Sequence, residues 1–514
     1  MTTAYQQLAN RFQQIYHLQH LGAIAGWDQA AMMPSGGNQA RGAAMAELNT
    51  LLHRLLTEKE VEAWLTEARN QETEPETLRS IEEMHTDWRH ASVIPDDLVK
   101  AKTLATNECE HAWRSQRPEN DWTGFAANLK EVVNLTRQEA NIRAEHANVS
   151  PYNALLELYE PGVNTRELDQ LFGDLKTWLP AFIQEAQEHQ ASIKIIEPTG
   201  PFPIEQQKAL GLEVMKLLGF DFNHGRLDVS THPFCGGVSE DVRMTTRYNE
   251  DNFIEALMGT VHETGHARYQ QNLPANRALP VSSYRSMGIH EGQSLFFEMQ
   301  LGRSPAFLSL IQPLIIKHLC HGKQQPYAAP DNLEKIYTRV CPGFIRVDAD
   351  EITYPAHVIL RYEIERDLIE GNIEVDDIPE LWQQKMKTYL GLNVADDHRN
   401  GCMQDIHWPM GSFGYFPSYT LGAMVAAQLF AAQKKAMPDI EDQIQNGNLS
   451  PGFDWLKQNI WSQGRRYSTR ELMTRATGEP LNADYFKAHL KQRYLTQYKR
   501  IQPTFMLENI TFEG

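Results

Sequence analysis

Two histidines flank a glutamate, four residues apart, in the segment His262-Glu-Thr-Gly-His266. On an α-helix their rings would project from one face, about 6 Å apart along the axis and roughly 40° apart around it, so both could bind one Zn²⁺. Glu263 would point roughly 100° away from His262, poorly placed as a ligand but able to reach a water molecule at the metal. The spacing predicts metal-assisted hydrolysis, most often of a peptide bond.

The residues before this segment favour a helix. The apolar positions follow the spacing of an amphipathic helix: Ile254, Leu257, Met258, Val261 and Gly265. Asn249 and Asp251 are predicted to cap its N-terminus. His262 and His266 continue the row begun by Met258, so they should lie beside the buried stripe. The alternative interpretation is a pair of core histidines bonded to backbone carbonyls, with the glutamate between them in solvent.

A catalytic zinc site needs a third protein ligand and one position left open for water. Glu291 is the first candidate, near the start of a second predicted helix whose apolar face contains Leu295, Phe296 and Met299. A glutamate there can also simply favour the helix dipole. The competing candidates for the third ligand are Glu298, His290 and Glu255. Leu295, four residues after Glu291, cannot orient it, so the sequence identifies no orienting partner.

The charge balance limits the classes of partner. Among 514 residues, 48 Lys and Arg face 66 Asp and Glu, a net charge of −18. An acidic surface argues against binding to nucleic acid or to an anionic membrane, because both require basic patches. The longest weakly polar stretch, Leu421 to Ala432, is too short to span a bilayer.

The cysteines and the N-terminal residues predict a cytoplasmic location. The five cysteines are scattered and include no Cys-x-x-Cys pair, as expected of reduced thiols. The first residues, Met1-Thr-Thr-Ala-Tyr-Gln-Gln, lack the basic and apolar blocks of a signal peptide.

Hydrophobic periodicity predicts a mainly α-helical protein. Helical patterns cover residues 8–24, 40–66, 76–91, 95–115 and 122–146, and helices resume after residue 250 and continue to about Gln497. Between them lie three predicted strands: 193–196, 227–230 and 242–248. A small sheet beside the metal-binding helix could present an edge strand to a substrate backbone. With no long linker, residues 1–514 should form one domain with a cleft between two lobes.

Six sequence blocks between residues 232 and 419 occur in an order that resembles the carboxypeptidase Taq family of metallocarboxypeptidases. The blocks are His232-Pro-Phe234, Asp241-Val-Arg-Met-Thr245, His262-Glu-Thr-Gly-His266, His290-Glu-Gly-Gln293, Ile345-Arg-Val-Asp-Ala-Asp-Glu-Ile-Thr-Tyr354, and Gly401-Cys-Met-Gln-Asp-Ile-His-Trp408 followed by Gly414-Tyr-Phe-Pro-Ser-Tyr419. The resemblance implies a saddle-like helical subunit with a deep groove, similar to angiotensin-converting enzyme and neurolysin. It also implies a homodimer that acts on peptides, releasing single C-terminal residues with broad specificity that disfavours proline.

The resemblance further implies roles for individual residues. His262, His266 and Glu291 match the metal ligands, which would hold one Zn²⁺, or Co²⁺, per subunit. Glu263 matches the general base. Tyr415 and His407 are similar in placement to a Tyr and a His that stabilise the oxyanion in related peptidases, and Tyr419 is the alternative to Tyr415.

An exopeptidase must also bind the terminal carboxylate of its substrate, and the planar guanidinium of arginine is suited to this. Arg346 is the first candidate and Arg243 the second. Against them stand structural pairings, of Arg346 with Asp350 and of Arg243 with Asp241. His232 is predicted to contact substrate or to hold the loop near the metal. Asp350 and Glu351 are equally compatible with a structural role.

The sequence is also compatible with two other functions. Helical groove peptidases share the metal-binding pentapeptide, so an oligopeptidase or a dipeptidyl carboxypeptidase is the first alternative. The second is a catalytically silent peptide-binding protein, although such a protein would not need Glu263.

Overall fold

The computed structural model describes residues 2–275 and 277–496. Helices dominate its N-terminal part: α1 (Ala4–Ala31), α2 (Asn38–Thr57), α3 (Lys59–Gln71), α4 (Pro75–Ser92), α5 (Asp96–Gln116), α6 (Trp122–Ala147), α7 (Pro151–Leu156), α8 (Thr165–Gln190) and α9 (Ile204–Leu217). The single helix predicted over 40–66 is wrong, because the extended backbone of Glu58 (φ −56°, ψ 143°) separates α2 from α3.

A three-stranded sheet follows α9. Its strands β1 (Gly225–Val229), β2 (Cys235–Val238) and β3 (Asp241–Thr246) have the order β1-β3-β2, with β1 parallel and β2 antiparallel to β3. Met244 of β3 is paired with both Leu227 and Cys235. The central strand packs on the helix that follows it, so the sheet lies beside that helix as predicted.

One predicted strand is wrong, and one strand of the sheet was not predicted. Residues 193–196 form no strand, since the Ile196 amide donates to the Asn332 side chain (2.8 Å) rather than to another strand. Strand β2 was not predicted because Gly236 and Gly237 give it no β-forming pattern. Gly237 has φ +92°, and a Cβ there would meet the Asp241 carbonyl, so the tight return into β3 requires glycine.

Helices occupy most of the remaining described chain: α10 (Ile254–Gln271), α11 (Met287–Leu295), α12 (Pro305–Leu319), α13 (Pro330–Tyr337), α14 (Tyr354–Ile369), α15 (Ile378–Leu390), α16 (Pro417–Ala436), α17 (Ile440–Gln445), α18 (Ser450–Asn459), α19 (Thr469–Thr477) and α20 (Ala483–Lys491). Helices α11 and α20 continue directly into π-helical segments, Phe296–Gly302 and Gln492–Thr496. The predicted helical end near Gln497 lies outside the described residues.

Two large apolar cores form the two lobes. One is built mainly on α6, α8, α14 and α15, and the other mainly on α9, α10, α11 and α12. Helix α16 contributes to both, with Leu421 and Met424 in the first core and Val425 and Leu429 in the second. The mainly α-helical class with a small sheet is therefore confirmed.

No helix within the described ranges is both long enough and apolar enough to cross a membrane. The stretch from Leu421 to Ala432 lies within α16, where most of its residues are buried between the two lobes.

Candidate metal centre

Helix α10 carries the His-Glu-Thr-Gly-His segment in its C-terminal half. The prediction that Asn249 and Asp251 cap this helix is wrong. Asn252 Oδ1 instead accepts from the first helical amide, that of Ile254 (2.9 Å), while Asn249 Oδ1 accepts from the Asp251 amide in the preceding turn.

Two glycines let the neighbouring helices approach the site closely. A Cβ on Gly265 would lie 2.6 Å from the Gln293 carbonyl oxygen, so α11 can cross α10 only because this residue is glycine. On the other side, a Cβ on Gly422 would lie 2.7 Å from Glu291 Cγ. Helix α11 begins at Met287, and the Ser286 side chain caps it by accepting from the Ile289 amide. Glu291 therefore lies in the second turn of α11, wedged between α10 and α16.

The side chains of His262, His266 and Glu291 converge, with one possible ligand atom from each lying within 4.8 Å of the others. Glu291 Oε2 is 3.2 Å from His266 Nε2 and 3.9 Å from His262 Nε2. Bond lengths of about 2.0–2.2 Å to a tetrahedral ion place two ligand atoms roughly 3.3–3.6 Å apart, so the cluster has suitable dimensions.

The outer nitrogens of both histidine rings have their own partners. His262 Nδ1 lies 2.8 Å from Glu298 Oε2, and His266 Nδ1 lies 2.6 Å from His290 Nδ1. These contacts turn the two Nε2 atoms toward Glu291, as in many metal sites where a second residue orients a histidine ligand. Glu298 and His290, two of the competing candidates for the third ligand, thus contact the Nδ1 atoms of the histidines rather than facing the Nε2 atoms. Glu255 accepts from Asn252 at the far end of α10.

The electrostatics of the cluster suit a cation. Burial disfavours a charged imidazole, but the carboxylates of Glu291, Glu298 and Glu263 outweigh it and raise the pKa of His262 to about 10. Burial raises the pKa of Glu263, whose Oε2 is buried and has no hydrogen-bond partner among the described residues. Three converging donors beside a carboxylate oxygen with no partner fit a divalent metal ion and the water that it would bring.

Comparison with known proteins agrees with this geometry. A sequence model of the family described as carboxypeptidase Taq (M32) metallopeptidase matches residues 7–494. The chain belongs to that family. It is therefore a metallocarboxypeptidase, a hydrolase that acts on peptides and depends on a divalent metal ion.

Individual members of the M32 family are similar over almost their whole length. Thermostable carboxypeptidase 1 of Thermus thermophilus is 36% identical, with 96% of this chain and 99% of the relative covered. The solved structure of Trypanosoma cruzi metallocarboxypeptidase 1 has a TM-score of 0.92 at 43% identity, covering 96% of this chain and 99% of that one. The M32 carboxypeptidase of Deinococcus radiodurans has a TM-score of 0.90 at 30% identity, with coverages of 96% and 99%.

Tyr415, His407 and Tyr419 form an aromatic group next to Glu291. The Tyr415 ring lies 5.4 Å from that of His407 and 5.3 Å from that of Tyr419, and His407 Nε2 is 2.9 Å from the Tyr419 hydroxyl. Burial, followed by the neighbouring Tyr419 and the negative charge of Glu291, raises the pKa of Tyr415. Burial and the positive charge of Arg346 lower the pKa of His407 to about 3, so its ring is neutral at pH 7.

Arg346 is buried, with 5% of its surface exposed, and its partner is not the predicted one. Its Nε donates to Asp405 Oδ1 (2.8 Å), and its Nη1 donates to the Tyr354 hydroxyl (2.7 Å). Arg361 Nε donates to the other oxygen of Asp405 (2.6 Å). Asp350 instead accepts from backbone amides of its own turn, so the pairing of Arg346 with Asp350, the structural alternative to substrate binding, is wrong.

The other two predicted substrate-binding residues lie on the sheet or next to it. Arg243 on β3 makes a two-pronged contact with Asp241 (2.6 and 2.8 Å), which confirms the structural pairing weighed against it. Its guanidinium also stacks on the Trp27 ring at 4.7 Å. His232 is exposed in the loop before β2, with its ring 6.3 Å from that of Trp113.

The partners of several site residues were not found from the sequence. Glu298 was predicted only as an alternative metal ligand, although it follows Glu291 by seven residues, close to two helical turns, and so shares its face. Asp405, Arg361 and Glu365 gave no comparable signal. They meet their partners only through the tertiary fold, as in the contact between Arg346 and Asp405, 59 residues apart.

Glu365 on α14 supports the loop that carries Tyr415. It accepts from the Tyr152 hydroxyl (2.6 Å), from Trp408 Nε1 (3.1 Å) and from the Gly414 amide (3.1 Å). Burial nevertheless raises its pKa to about 7. Between about pH 4.5 and pH 7 the folded protein therefore holds a proton that the unfolded chain has lost, and stability falls as the pH rises through this window.

Replacing Glu365 by Gln should flatten the pH dependence of stability. The raised pKa corresponds to a loss on the order of 3 kcal/mol of unfolding free energy between pH 5 and pH 8. We expect Glu365→Gln to remove most of that slope in urea unfolding of the chelator-treated protein. Glu363→Gln on the same helix is the control, because cationic partners lower the pKa of Glu363 despite its burial. An unchanged slope in Glu365→Gln would contradict the raised pKa.

Proposed function

We propose that this protein is a zinc-dependent carboxypeptidase that releases single C-terminal amino acids from peptides. In this proposal its specificity is broad and disfavours a C-terminal proline. The observation that carries the proposal is the cluster of the partly buried His262 and His266 with the buried Glu291, beside the Glu263 oxygen that has no partner among the described residues. A metal ion bound there would activate a water molecule and polarise the scissile carbonyl group.

Glu263 is the general base of this mechanism. It lies next to His262 on α10, and burial together with the neighbouring carboxylates raises its pKa, which makes it a better proton acceptor than a surface glutamate. Its free oxygen would take the proton of the attacking water and pass it to the leaving amine. The metal ligands themselves are held by Glu298, His290 and the close helix contacts around Gly265.

Tyr415 and His407 supply the oxyanion side of the site. The tetrahedral intermediate carries a negative charge on the former carbonyl oxygen, and a neutral hydroxyl beside Glu291 can donate a hydrogen bond to it. The raised pKa of Tyr415 keeps that proton in place at working pH. His407 acts through the Tyr419 hydroxyl, which it contacts at 2.9 Å.

Arg346 is our first choice for binding the C-terminal carboxylate of the substrate. Two guanidinium groups, those of Arg346 and Arg361, share the single carboxylate of Asp405, which leaves one excess positive charge in a buried place. The Arg346 guanidinium lies 4.8 Å from the centre of the Tyr419 ring and so borders the aromatic group of the site. Arg243 remains the second choice, although Asp241 already pairs with it, and His232 is the third contact from the sheet side.

Strand β2 offers a backbone surface for the peptide. It lies at one edge of the sheet, and β3 pairs with its other side. An extended substrate could add to this edge by main-chain hydrogen bonds, which do not depend on side-chain identity and therefore suit broad specificity.

The remaining parts of the proposal concern the whole protein. The two-nitrogen, one-carboxylate ligand set suits Zn²⁺, and Co²⁺ can replace it, with one ion per subunit. We propose one domain over residues 1–514, a homodimer, and a cytoplasmic location, consistent with five cysteines that form no disulfide in the structure. The net charge of −18 argues against nucleic-acid partners.

A digestion experiment tests the exopeptidase proposal. The purified protein is incubated with one peptide in two forms, with a free and with an amidated C-terminus, and the products are followed by mass spectrometry. We expect stepwise loss of single residues from the free peptide, no cleavage of the amide, and no activity after chelation. Release of dipeptides, or internal cleavage of the amide, would instead support the oligopeptidase alternative, and intact peptides with the metal bound would support a silent binding protein.

Replacing Tyr415 by Phe removes one hydroxyl group and should lower kcat. We expect a fall in kcat of about 10²- to 10³-fold with little change in KM, since the donor acts mainly in the transition state. Steady-state kinetics on a short peptide measures both constants. Tyr419→Phe is the matched comparison, and a larger loss of kcat in that variant would assign the oxyanion contact to Tyr419 instead.

A further inference from the structure

His262 is the first member of a buried chain of charged side chains. Its Nδ1 contacts one oxygen of Glu298, and the other oxygen accepts from Arg303 Nη2. The side chains of Glu298 and Arg303 are only 13% and 12% exposed. Solvent screens buried charges only weakly, so a change in the charge of one of these side chains should change the electrostatic potential at the others.

The segment that carries Glu298 has a second attachment, made by Arg493. Glu298 and Met299 belong to the π-helical segment Phe296–Gly302 that continues α11. Arg493 Nη1 donates both to the Met299 carbonyl (2.6 Å) and to Glu351 Oε2 (3.0 Å). A single guanidinium nitrogen thus joins the backbone beside Glu298 to a carboxylate in a different part of the chain.

Glu351 is the centre of this attachment. It precedes α14, is 3% exposed, and also accepts from the Tyr494 hydroxyl (3.0 Å), while its other oxygen lies 2.6 Å from His489 Nε2. Glu351 therefore joins residues of α20 and of the segment after it to the backbone next to Glu298.

We propose that Glu351 is a positioning residue for the metal centre, holding Glu298 against His262 by way of Arg493. Through Arg493 it fixes the backbone next to Glu298, whose side chain contacts the outer nitrogen of His262. This inference depends on His262 being a metal ligand, as proposed above. It gives the last described helix, α20, and the segment after it a role in metal retention.

Glu351→Gln tests the inference through metal affinity rather than activity. The variant keeps the shape of the side chain but leaves the buried Arg493 guanidinium without its counter-charge and so loosens its hold on the Met299 carbonyl. We expect the dissociation constant for Zn²⁺, measured by competition with a chromophoric chelator, to rise by about 3- to 10-fold. Glu298→Gln, which contacts the ligand directly, should raise it by about 10- to 100-fold. The absorption bands of the Co²⁺-substituted protein should shift in both variants.

Glu363→Gln is the matched control. Glu363 is also a mostly buried carboxylate, with donors from Lys176 (2.5 Å), Lys385 (2.6 Å) and Tyr389 (2.7 Å), but it lies in the second half of α14, whereas Glu351 precedes that helix. If Glu351 has only a structural role, both variants will lose stability and neither will change the Zn²⁺ constant or the Co²⁺ spectrum. That result would overturn the inference.

Two further outcomes complete the test. Arg493→Lys keeps the charge but cannot span Met299 and Glu351 in the same way, so it should weaken Zn²⁺ binding even if Glu351→Gln does not fold. An unchanged constant in Arg493→Lys would also overturn the inference. If instead the wild-type protein binds no divalent ion, the proposed ligand set fails, and the role of Glu351 fails with it.

Discussion

Replacing Glu263 by Gln should lower kcat by about 10²- to 10⁴-fold, the range expected when a general base is lost. The amide has nearly the shape of the carboxylate but cannot accept the proton of the attacking water. Because Glu263 is not one of the three converging ligands, metal content should stay at one ion per subunit. The measurement pairs steady-state kinetics on a short peptide with elemental analysis of the same sample.

Glu255→Gln is the control for this variant, because it makes the same chemical change on the same helix, α10, at a residue that accepts from Asn252 and lies 3.9 Å from Arg247, at the other end of the helix from the site. Its kcat should match that of the wild type. Turnover within a factor of a few of wild type in Glu263→Gln, with metal bound, would remove Glu263 from the mechanism and reopen the question of the base.

Replacing Glu291 by Gln should cost most of the metal affinity. Zinc sites with four protein ligands bind with roughly 10–16 kcal/mol, so one ligand contributes on the order of 3 kcal/mol, or about 10²- to 10³-fold in the dissociation constant. The effect is larger than that expected for Glu298→Gln, because Glu291 faces both Nε2 atoms while Glu298 contacts only an outer nitrogen. Competition with a chelator measures both constants.

The order of these two variants is itself a test. If Glu298→Gln weakened metal binding more than Glu291→Gln, the ligand would be Glu298, one of the alternatives left open by the sequence. Thermal unfolding of the metal-free proteins is the control for fold. Glu291→Gln should then unfold close to the wild type, whereas Glu298→Gln should unfold at a lower temperature because it leaves the buried Arg303 without its carboxylate partner.

Local periodicity was enough to predict the long helices and two of the metal-facing residues. Helix α6 was predicted over 122–146 and spans Trp122–Ala147, and α5 was predicted over 95–115 and spans Asp96–Gln116. The same periodicity placed His262 and His266 on one helix face beside the core. Such features depend on residues within a few turns of each other, which a single sequence displays directly.

The sequence-based predictions failed where contacts between distant parts of the chain determine the local structure. Nothing in the composition around Glu58 separates α2 from α3, and residues 193–196 look β-forming but bond to Asn332 instead. At the site, the partner of Arg346 is Asp405, 59 residues away, whereas the sequence offered only the nearby Asp350. Long-range pairs between buried charges leave no periodic trace, and spacing alone could not find them.

The most direct test of the account is to locate the metal ion. Anomalous scattering at the zinc edge from crystals of the zinc-loaded protein would give its position relative to the side chains. We expect one peak per subunit within about 2.0–2.2 Å of His262 Nε2, His266 Nε2 and a Glu291 oxygen, with Glu263 nearby but not bound. A peak held by other residues, or a Glu291 carboxylate far from the ion, would contradict the proposed site and the chemistry assigned to it.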